Sequence, residues 1–170
     1  WSMLWEGSII LGELMATIPP EKDDTTVLEL GAGLGTAGLA AAANGYNVTL
    51  SDSLPQICDY QKVSAAANGL SNIKTKVIDY KQIQDLAKFD IIICAEILVL
   101  EESFKQILKM LVNHLAPGGT IYFAHDDRRK SISKFFSMAE EKFRIAMKPI
   151  KFMADQGERT VLLTRLTPKS

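Results

Sequence analysis

The sequence predicts an α/β fold in which a doubly wound, mostly parallel sheet ends in an antiparallel hairpin. Short apolar segments alternate with helical segments along the chain, and this alternation is typical of βαβ units with helices on both faces of one sheet. A glycine-rich turn separates the first apolar segment from the helix that follows it. The last two strand-like segments, 143–150 and 160–166, are too close in sequence for a crossover helix, so we expect them to pair antiparallel.

The first part of the chain contains two helix–strand units with clear stop signals. A helix is predicted over about 4–18, and Pro19-Pro20 ends it. Residues 26–30 are short, mostly apolar and followed by glycine, which is typical of a buried parallel strand. An Ala-rich helix over about 34–44 ends before a glycine, and 47–51 forms the second strand.

The same alternation continues to the end of the chain. The further predicted helices cover about 54–68, 101–114 and 132–141. The further predicted strands cover 73–78, 89–94 and 120–124. The segment 89–94 is almost wholly apolar, so we expect it near the centre of the sheet. Pro117-Gly118-Gly119 is expected to turn the chain into the strand at 120–124.

Length, charge and cysteine content restrict the classes of function. The chain has 170 residues, which fits one domain over 1–170. Its 19 Lys and Arg are matched by 20 Asp and Glu, so no overall positive charge favours a nucleic acid. No segment approaches the ~18 apolar residues that cross a membrane. Cys58 and Cys94 form no metal or disulfide motif, so we expect no metal site and a reducing, cytoplasmic location.

Three glycines, Gly31, Gly33 and Gly35, lie between the first strand and the Ala-rich helix. A tight turn here needs residues without a Cβ, and the N–H groups at a helix start attract polar or negative ligand groups. The spacing has two interpretations, because 33–38 also matches the dinucleotide pattern GxGxxG, with Asp52 where its ribose-binding acid is expected. A glycine-rich turn without any ligand is the third alternative.

Acidic residues at the strand ends favour an adenosine ligand without a pyrophosphate. Glu29 lies inside the first strand, where a carboxylate is costly unless a partner binds it. Asp52 ends the second strand and can accept hydrogen bonds from both ribose hydroxyls. Asp79 and Tyr80 follow the third strand, where Asp79 could accept from an adenine amino group and Tyr80 could pack on the ring.

These features resemble the class I, seven-strand S-adenosylmethionine-dependent methyltransferases. The resemblance covers nearly the whole chain and is carried by residues 27–35, Asp52, Asp79, 89–92 and 115–119. It implies a Rossmann-like sheet of order 3-2-1-4-5-7-6, in which the seventh strand is antiparallel. It also implies S-adenosylmethionine as the cofactor, bound by the glycine loop and by the acidic strand ends.

A narrower resemblance is to the small protein-lysine methyltransferases. It is carried by Trp5-Glu6, by Asn68 and by Ala95-Glu96-Ile97-Leu98. In that group a Trp near the N-terminus flanks the cofactor, which implies that Trp5 and Ala95 also bind it. The fourth strand there usually ends in Asp-x-x-Tyr. This chain has Glu96-Ile97-Leu98-Val99, which keeps the acid and lacks the aromatic ring.

Glu96 is the candidate catalytic residue. Strand 4 neighbours strand 1 in the implied order, so Glu96 is expected beside the methionine part of the cofactor. A lysine acceptor with an ordinary pKa of about 10.4 must first lose a proton, and a carboxylate can guide or take it. After the fifth strand, His125 or Asp126 could assist this transfer, and Arg128 could hold a neighbouring carboxylate.

Three functions remain open from the sequence. The first is methylation of a protein side chain, with lysine as the acceptor. The second is methylation of a small molecule, for which we would expect extra segments that cover the site, and the chain has almost none. The third is a module that binds the cofactor without catalysis, which the loss of the Tyr at position 99 favours.

Overall fold

The computed structural model describes residues 5–82, 85–129, 131–154 and 157–169. The strands in these residues are β1 (Thr26–Glu29), β2 (Asn47–Asp52), β3 (Ile73–Val77), β4 (Phe89–Ala95), β5 (Leu115–Asp126), β6 (Phe143–Ala154) and β7 (Gly157–Pro168). They form one sheet in the order β3-β2-β1-β4-β5-β7-β6, which confirms the predicted order. Strands β1 to β5 pair parallel, and β7 pairs antiparallel with β5 and β6, so the closing hairpin is also confirmed.

The helices in the described residues are α1 (Glu6–Thr17), α2 (Thr36–Ala43), α3 (Pro55–Ala67), α4 (Phe104–His114) and α5 (Ile132–Ala139). A 3₁₀ turn over Glu101–Ser103 leads into α4. Each helix lies inside its predicted range, and the ends differ because the terminal turns depend on local backbone geometry more than on apolar spacing. Leu4, the predicted start of the first helix, lies outside the described residues. None of the helices that the structure describes has the length and apolar character to cross a bilayer.

Alternate residues of the central strands face different layers of helices. Val27 of β1 belongs to a core with α1 and α2, whereas its neighbour Leu28 belongs to a core with α4 and α5. In β4, Ile93 and Ile92 divide in the same way. The central strands are therefore buried on both faces, which explains their nearly continuous apolar sequences.

The segment predicted as a turn, Pro117-Gly118-Gly119, is a bulge inside β5. Phe89 pairs with Leu115, but Ile91 pairs with Thr120, so the residues between them on β5 face a single residue of β4. A Cβ on Gly119 would lie 2.7 Å from the carbonyl oxygen of Asp90. The close approach of the two backbones explains the glycine at this position.

The hairpin is longer than the sequence pattern predicted. Strands β6 and β7 pair continuously from Phe143 and Pro168 to Ala154 and Gly157. Backbone pairing continues past the residues that face the core, so the ladder extends into the segment predicted as a polar connection. Asp155 and Gln156 of that connection lie outside the described residues.

Candidate active site

The carboxyl ends of β1, β2 and β4 surround a cleft of about 350 Å³. This is the edge of a parallel sheet at which ligands bind, and a volume of this order is typical of small-molecule sites. The predicted site residues that line the cleft are Trp5, Gly31, Gly33, Asp52, Ala95 and Glu96. The cleft is also lined by Ser8, Ile97 and Arg129, which the sequence did not indicate as cofactor-binding or catalytic residues.

The glycine loop has a backbone conformation that other residues rarely adopt. Gly31, Gly33 and Gly35 have φ values of 67°, 52° and 77°. A Cβ on Gly31 would lie 2.8 Å from Cγ2 of Ile97, which also lines the cleft. A Cβ on Gly35 would lie 2.9 Å from Cδ1 of the buried Leu50. Gly31 therefore preserves the shape of the cleft, whereas Gly35 allows close packing beneath α2.

Asp52 ends β2 and holds the glycine loop from the side. Its Oδ2 accepts a hydrogen bond from the N–H of Gly33 at 3.1 Å, and its Oδ1 accepts one from the N–H of Leu54 at 3.2 Å. The residue is half-buried and lines the cleft. Because a carboxylate has further lone pairs beyond these two bonds, Asp52 can also accept hydrogen bonds from hydroxyl groups of a ligand.

Glu96 brings a carboxylate to the cleft directly after β4. Its side chain is only 8% exposed. Its Oε1 accepts a hydrogen bond from the N–H of Asp126, and its Oε2 accepts one from Nε of Arg129, both at 2.8 Å. Its φ of 55° is the one positive value among the described non-glycine residues, and such conformations concentrate at functional sites. Burial raises the pKa of the Glu96 carboxyl, and the two hydrogen-bond donors offset part of that effect.

The residues after β5 do not all have the predicted environment. His125 is buried and stacks on Phe123, with ring centroids 5.4 Å apart. Burial, together with the nearby charge of Arg129, lowers the pKa of His125 to about 3, so a role in proton transfer at neutral pH is not supported. Arg128 does hold a neighbouring carboxylate, that of Asp126, and this hydrogen bonding lowers the pKa of Asp126 to about 2.

Asp79 and Tyr80 do not line the cleft. The carboxylate of Asp79 accepts a hydrogen bond from the N–H of Lys81 at 2.9 Å. Tyr80 lines a separate cavity of about 120 Å³ beside α4 and packs against the core beneath that helix. Strand β3 already ends at Val77, and the partly buried Tyr80 ring packs against the apolar core instead of reaching the cleft.

Glu29 binds the protein itself. It is fully buried in β1, and its Oε2 accepts a hydrogen bond from the N–H of Gly38 in α2 at 2.7 Å. A Cβ on Gly38 would overlap both this carboxylate and Leu50. Burial raises the pKa of Glu29 to about 8, against the effect of the Gly38 hydrogen bond. A helix start therefore satisfies one oxygen of this costly carboxyl group, whereas its Oε1 is buried and has no hydrogen-bond partner among the described residues.

The raised pKa of Glu29 predicts a stability that falls with rising pH. Between the ordinary value of 4.5 and about 8, the folded chain binds this proton more tightly than the unfolded chain does. Each unit of difference between the folded and unfolded pKa is worth about 1.4 kcal/mol. Because some water reaches buried groups, we expect the free energy of unfolding to fall by only about 2 kcal/mol from pH 5 to pH 8. Urea unfolding at several pH values measures it. Glu29→Gln should flatten the dependence of the unfolding free energy on pH, and the substitution of the exposed Glu13 by Gln should not. If Glu29→Gln shows the same pH dependence as the native chain, Glu29 is not its cause.

The first turn of α1 packs against Glu96, which leads to a second prediction. A Cβ on Gly7 would lie 2.9 Å from the carbonyl oxygen of Ala124 and 3.2 Å from Oε1 of Glu96. We expect Gly7→Ala to lower the free energy of unfolding by about 1–3 kcal/mol. In Gly12→Ala, on the same helix, the nearest atom is 3.6 Å from the new Cβ, so it should be neutral or stabilising. Chemical unfolding of both variants checks this, and similar losses in both would argue against the Gly7 contact.

The cleft fits an adenosine cofactor with a positive charge better than a dinucleotide. Among the described residues that line it, Asp52 and Glu96 are acidic, and the single cation, Arg129, is paired with Glu96. Two carboxylates against one cation leave this lining with a net negative charge, which disfavours a pyrophosphate, whereas the open glycine backbone and Asp52 suit an adenosine. The described residues contain no group of three or more His, Cys, Asp or Glu placed to hold a metal ion.

Comparison with known proteins agrees with this chemistry. The model of a family described as lysine methyltransferase matches residues 2–142. Protein N-lysine methyltransferase METTL21A of Mus musculus is 27% identical over 153 residues, which cover 85% of this chain and 69% of that protein. The histidine protein methyltransferase 1 homolog of Dictyostelium discoideum is 29% identical over 165 residues, which cover 89% of this chain and 52% of that protein.

A solved structure shows the same fold. N-methyltransferase NodS of Bradyrhizobium japonicum WM9, in complex with S-adenosyl-L-homocysteine, superposes with a TM-score of 0.75 at 18% identity and covers 96% of this chain and 86% of that chain. This similarity identifies the fold as that of S-adenosylmethionine-dependent methyltransferases, and the family match spans most of the sequence. The chain is therefore a S-adenosylmethionine-dependent methyltransferase and belongs to the lysine methyltransferase family.

Proposed function

We propose that the chain transfers a methyl group from S-adenosylmethionine to the ε-amino group of a lysine in another protein. The family match and the similarity to METTL21A support lysine as the acceptor. The observation that carries the proposal is the Glu96 carboxylate, whose side chain is 8% exposed, held by two hydrogen bonds and placed at the wall of the cleft. A carboxylate at this position can act as a general base that accepts the proton of a lysine ammonium group.

We assign cofactor binding to the predicted residues that line the cleft, namely Trp5, Gly31, Gly33, Asp52 and Ala95. Asp52 would accept hydrogen bonds from ribose hydroxyls, and the glycine backbone would allow close approach of the ligand. Trp5 precedes α1 and is 42% exposed, so its ring can cover a bound molecule. In this assignment Glu29 and Gly35 support the loop from below.

The proposed chemistry requires little of the protein beyond alignment and proton transfer. S-Adenosylmethionine supplies a methyl group that is already activated on a sulfonium sulfur. One carboxylate oxygen of Glu96 takes a proton from the lysine ammonium. The neutral nitrogen then bonds to the methyl carbon as the methyl–sulfur bond breaks, which leaves S-adenosylhomocysteine and a methylated ammonium group. Two lone pairs of Glu96 remain available, because each oxygen accepts only one hydrogen bond from the protein.

The entrance to the cleft favours a protein acceptor over a small molecule. Trp5 and Val99 line the cleft and are 42% and 53% exposed, and Leu100 beside them is 51% exposed. A small-molecule enzyme would have to bury most of its acceptor, whereas a lysine side chain needs only a channel for its apolar stem. The two hydrogen bonds to Glu96 also argue against a module without catalysis. They hold the acid that the chemistry needs, although position 99 is Val and not Tyr.

A labelling experiment tests the acceptor. The purified chain is incubated with S-adenosylmethionine carrying a labelled methyl group and with a cell lysate, and labelled proteins are digested and analysed by mass spectrometry. We expect the label on lysine ε-nitrogen, and none above background with Gly33→Arg as the control. Label on histidine, or only in the small-molecule fraction, would refute the proposal. Absence of any labelled product would favour the module without catalysis.

We also propose a cytoplasmic location. Cys58 and Cys94 are both buried and both free, without a disulfide between them. Free thiols persist in a reducing compartment, where disulfides are rare. Localisation of the tagged protein in its own cells, by microscopy and fractionation, tests this, and recovery in an oxidising compartment would contradict it.

A further inference from the structure

We propose that Arg129 is a positioning residue that holds the Glu96 carboxylate in its charged form and directs it at the acceptor amine. The inference rests on the proposed function and deepens it, because it concerns the residue that keeps the proton acceptor ready. Arg129 lies 33 positions after Glu96 in the sequence, and it reaches the same cleft from the end of β5.

The contacts of Glu96 show how completely it depends on the end of β5. Its backbone N–H donates to the carbonyl oxygen of Ala124 at 3.0 Å, and its Oε1 accepts from the N–H of Asp126 at 2.8 Å. Arg129 then binds the second carboxylate oxygen at 2.8 Å. The left-handed backbone conformation of Glu96 is unfavourable unless its surroundings stabilise it, and these three contacts at the end of β5 do so.

The Arg129 side chain is itself placed by a short hydrogen-bonded turn. The N–H of Arg129 donates to the carbonyl oxygen of Asp126 at 3.2 Å, and the N–H of Arg128 donates to the Asp126 carboxylate at 3.0 Å. Arg128 also binds that carboxylate through its guanidinium. Asp126 thus neutralises Arg128 and orders the turn, which leaves Arg129 for Glu96.

Arg129 is the cation that stabilises the charged form of Glu96. The charged groups that act on this carboxylate are Arg129 and Asp126, both from the end of β5. Asp52 lines the same cleft, and Asp127 and Glu6 lie near Arg128. Of these, Arg129 is the cation in contact with Glu96, and Arg128 is paired with Asp126. His125 lies on the other face of β5, between Phe123 and Phe136.

The Arg129 contact offsets an effect of burial that would prevent Glu96 from accepting a proton. Burial raises the pKa of the Glu96 carboxyl, and a protonated Glu96 could not accept the proton of the acceptor. Arg129 opposes that effect while it leaves lone pairs of both oxygens free. An arginine suits this position better than a lysine, because its planar guanidinium remains charged and is directional.

The test measures the Glu96 pKa directly. The chain is saturated with S-adenosylhomocysteine, and the ¹³C signal of the Glu96 carboxyl, assigned by its loss in Glu96→Gln, is followed against pH by NMR. In Arg129→Gln we expect the pKa to rise by about one to two pH units relative to the native chain. Arg129→Lys should restore part of the difference. The control Lys134→Gln, which removes a cation from the exposed pair with Glu101, should leave the value unchanged.

Activity gives the second readout. The acidic limb of the pH–rate profile should move to higher pH in Arg129→Gln, so that the variant recovers rate as the pH rises. An unchanged Glu96 titration in Arg129→Gln would overturn the inference even if lysine methylation is established. If the native chain methylates no lysine, the proposed function fails, and the NMR titration still decides whether Arg129 controls Glu96.

Discussion

Glu96→Gln is expected to lower the rate of lysine methylation at neutral pH by about 100-fold or more. Gln keeps the size of the side chain but cannot take a proton from the acceptor. Its amide group must also present an N–H to Nε of Arg129 or to the N–H of Asp126, since both groups that contact Glu96 are donors. We expect the loss in kcat, with a small change in the affinity for S-adenosylhomocysteine, because the cofactor residues are untouched.

A matched control separates this loss from the loss of any nearby carboxylate. Glu101 follows Glu96 in the same connection, is half exposed and pairs with Lys134. Glu101→Gln should therefore retain nearly full activity. The measurement is the initial rate of methyl transfer at saturating cofactor, with calorimetry for the affinity. If Glu96→Gln keeps native kcat, another group accepts the proton and the proposed role of Glu96 is wrong.

Gly31→Ala is expected to weaken the binding of S-adenosylhomocysteine at least about tenfold, which corresponds to about 1.4 kcal/mol. The substitution has two physical costs: the first lowers the stability, and the second changes the cleft. The φ of 67° is unfavourable for any residue with a Cβ, by about 1–2 kcal/mol. The new Cβ would also lie 2.8 Å from Cγ2 of Ile97, so the side chain at the wall of the cleft must move.

Gly69 supplies a control with the same backbone cost. Its φ is 66°, and no atom lies within 4 Å of the position of its Cβ. Gly69→Ala should therefore lower the stability without a change in cofactor affinity, whereas Gly31→Ala should change both. Isothermal titration and chemical unfolding of the two variants measure the difference. Equal affinities would show that the contact with Ile97 does not shape the cofactor site.

Most of the fold could be predicted because its signals are local. The alternation of apolar and helical segments, the stop signals at Pro19-Pro20 and the missing crossover before 160–166 define a parallel sheet closed by a hairpin. Two features depended on backbone contacts between strands and differed from the prediction. The bulge at Gly119 exists because the backbone of β4 passes close by, and the length of the hairpin follows from pairing between two strands.

The candidate site divides in the same way. The glycine loop, Asp52 and Glu96 could be predicted to share one site from the sequence, because residues at the carboxyl ends of parallel strands meet at one edge of the sheet. The contacts between the side chains at this edge could be read only from the three-dimensional structure. In the structure, Glu29 accepts a hydrogen bond from Gly38, Tyr80 lines a separate cavity, and Arg129 binds Glu96. These outcomes depend on which buried polar groups find partners across the packed layers, and no local spacing in a chain encodes that choice.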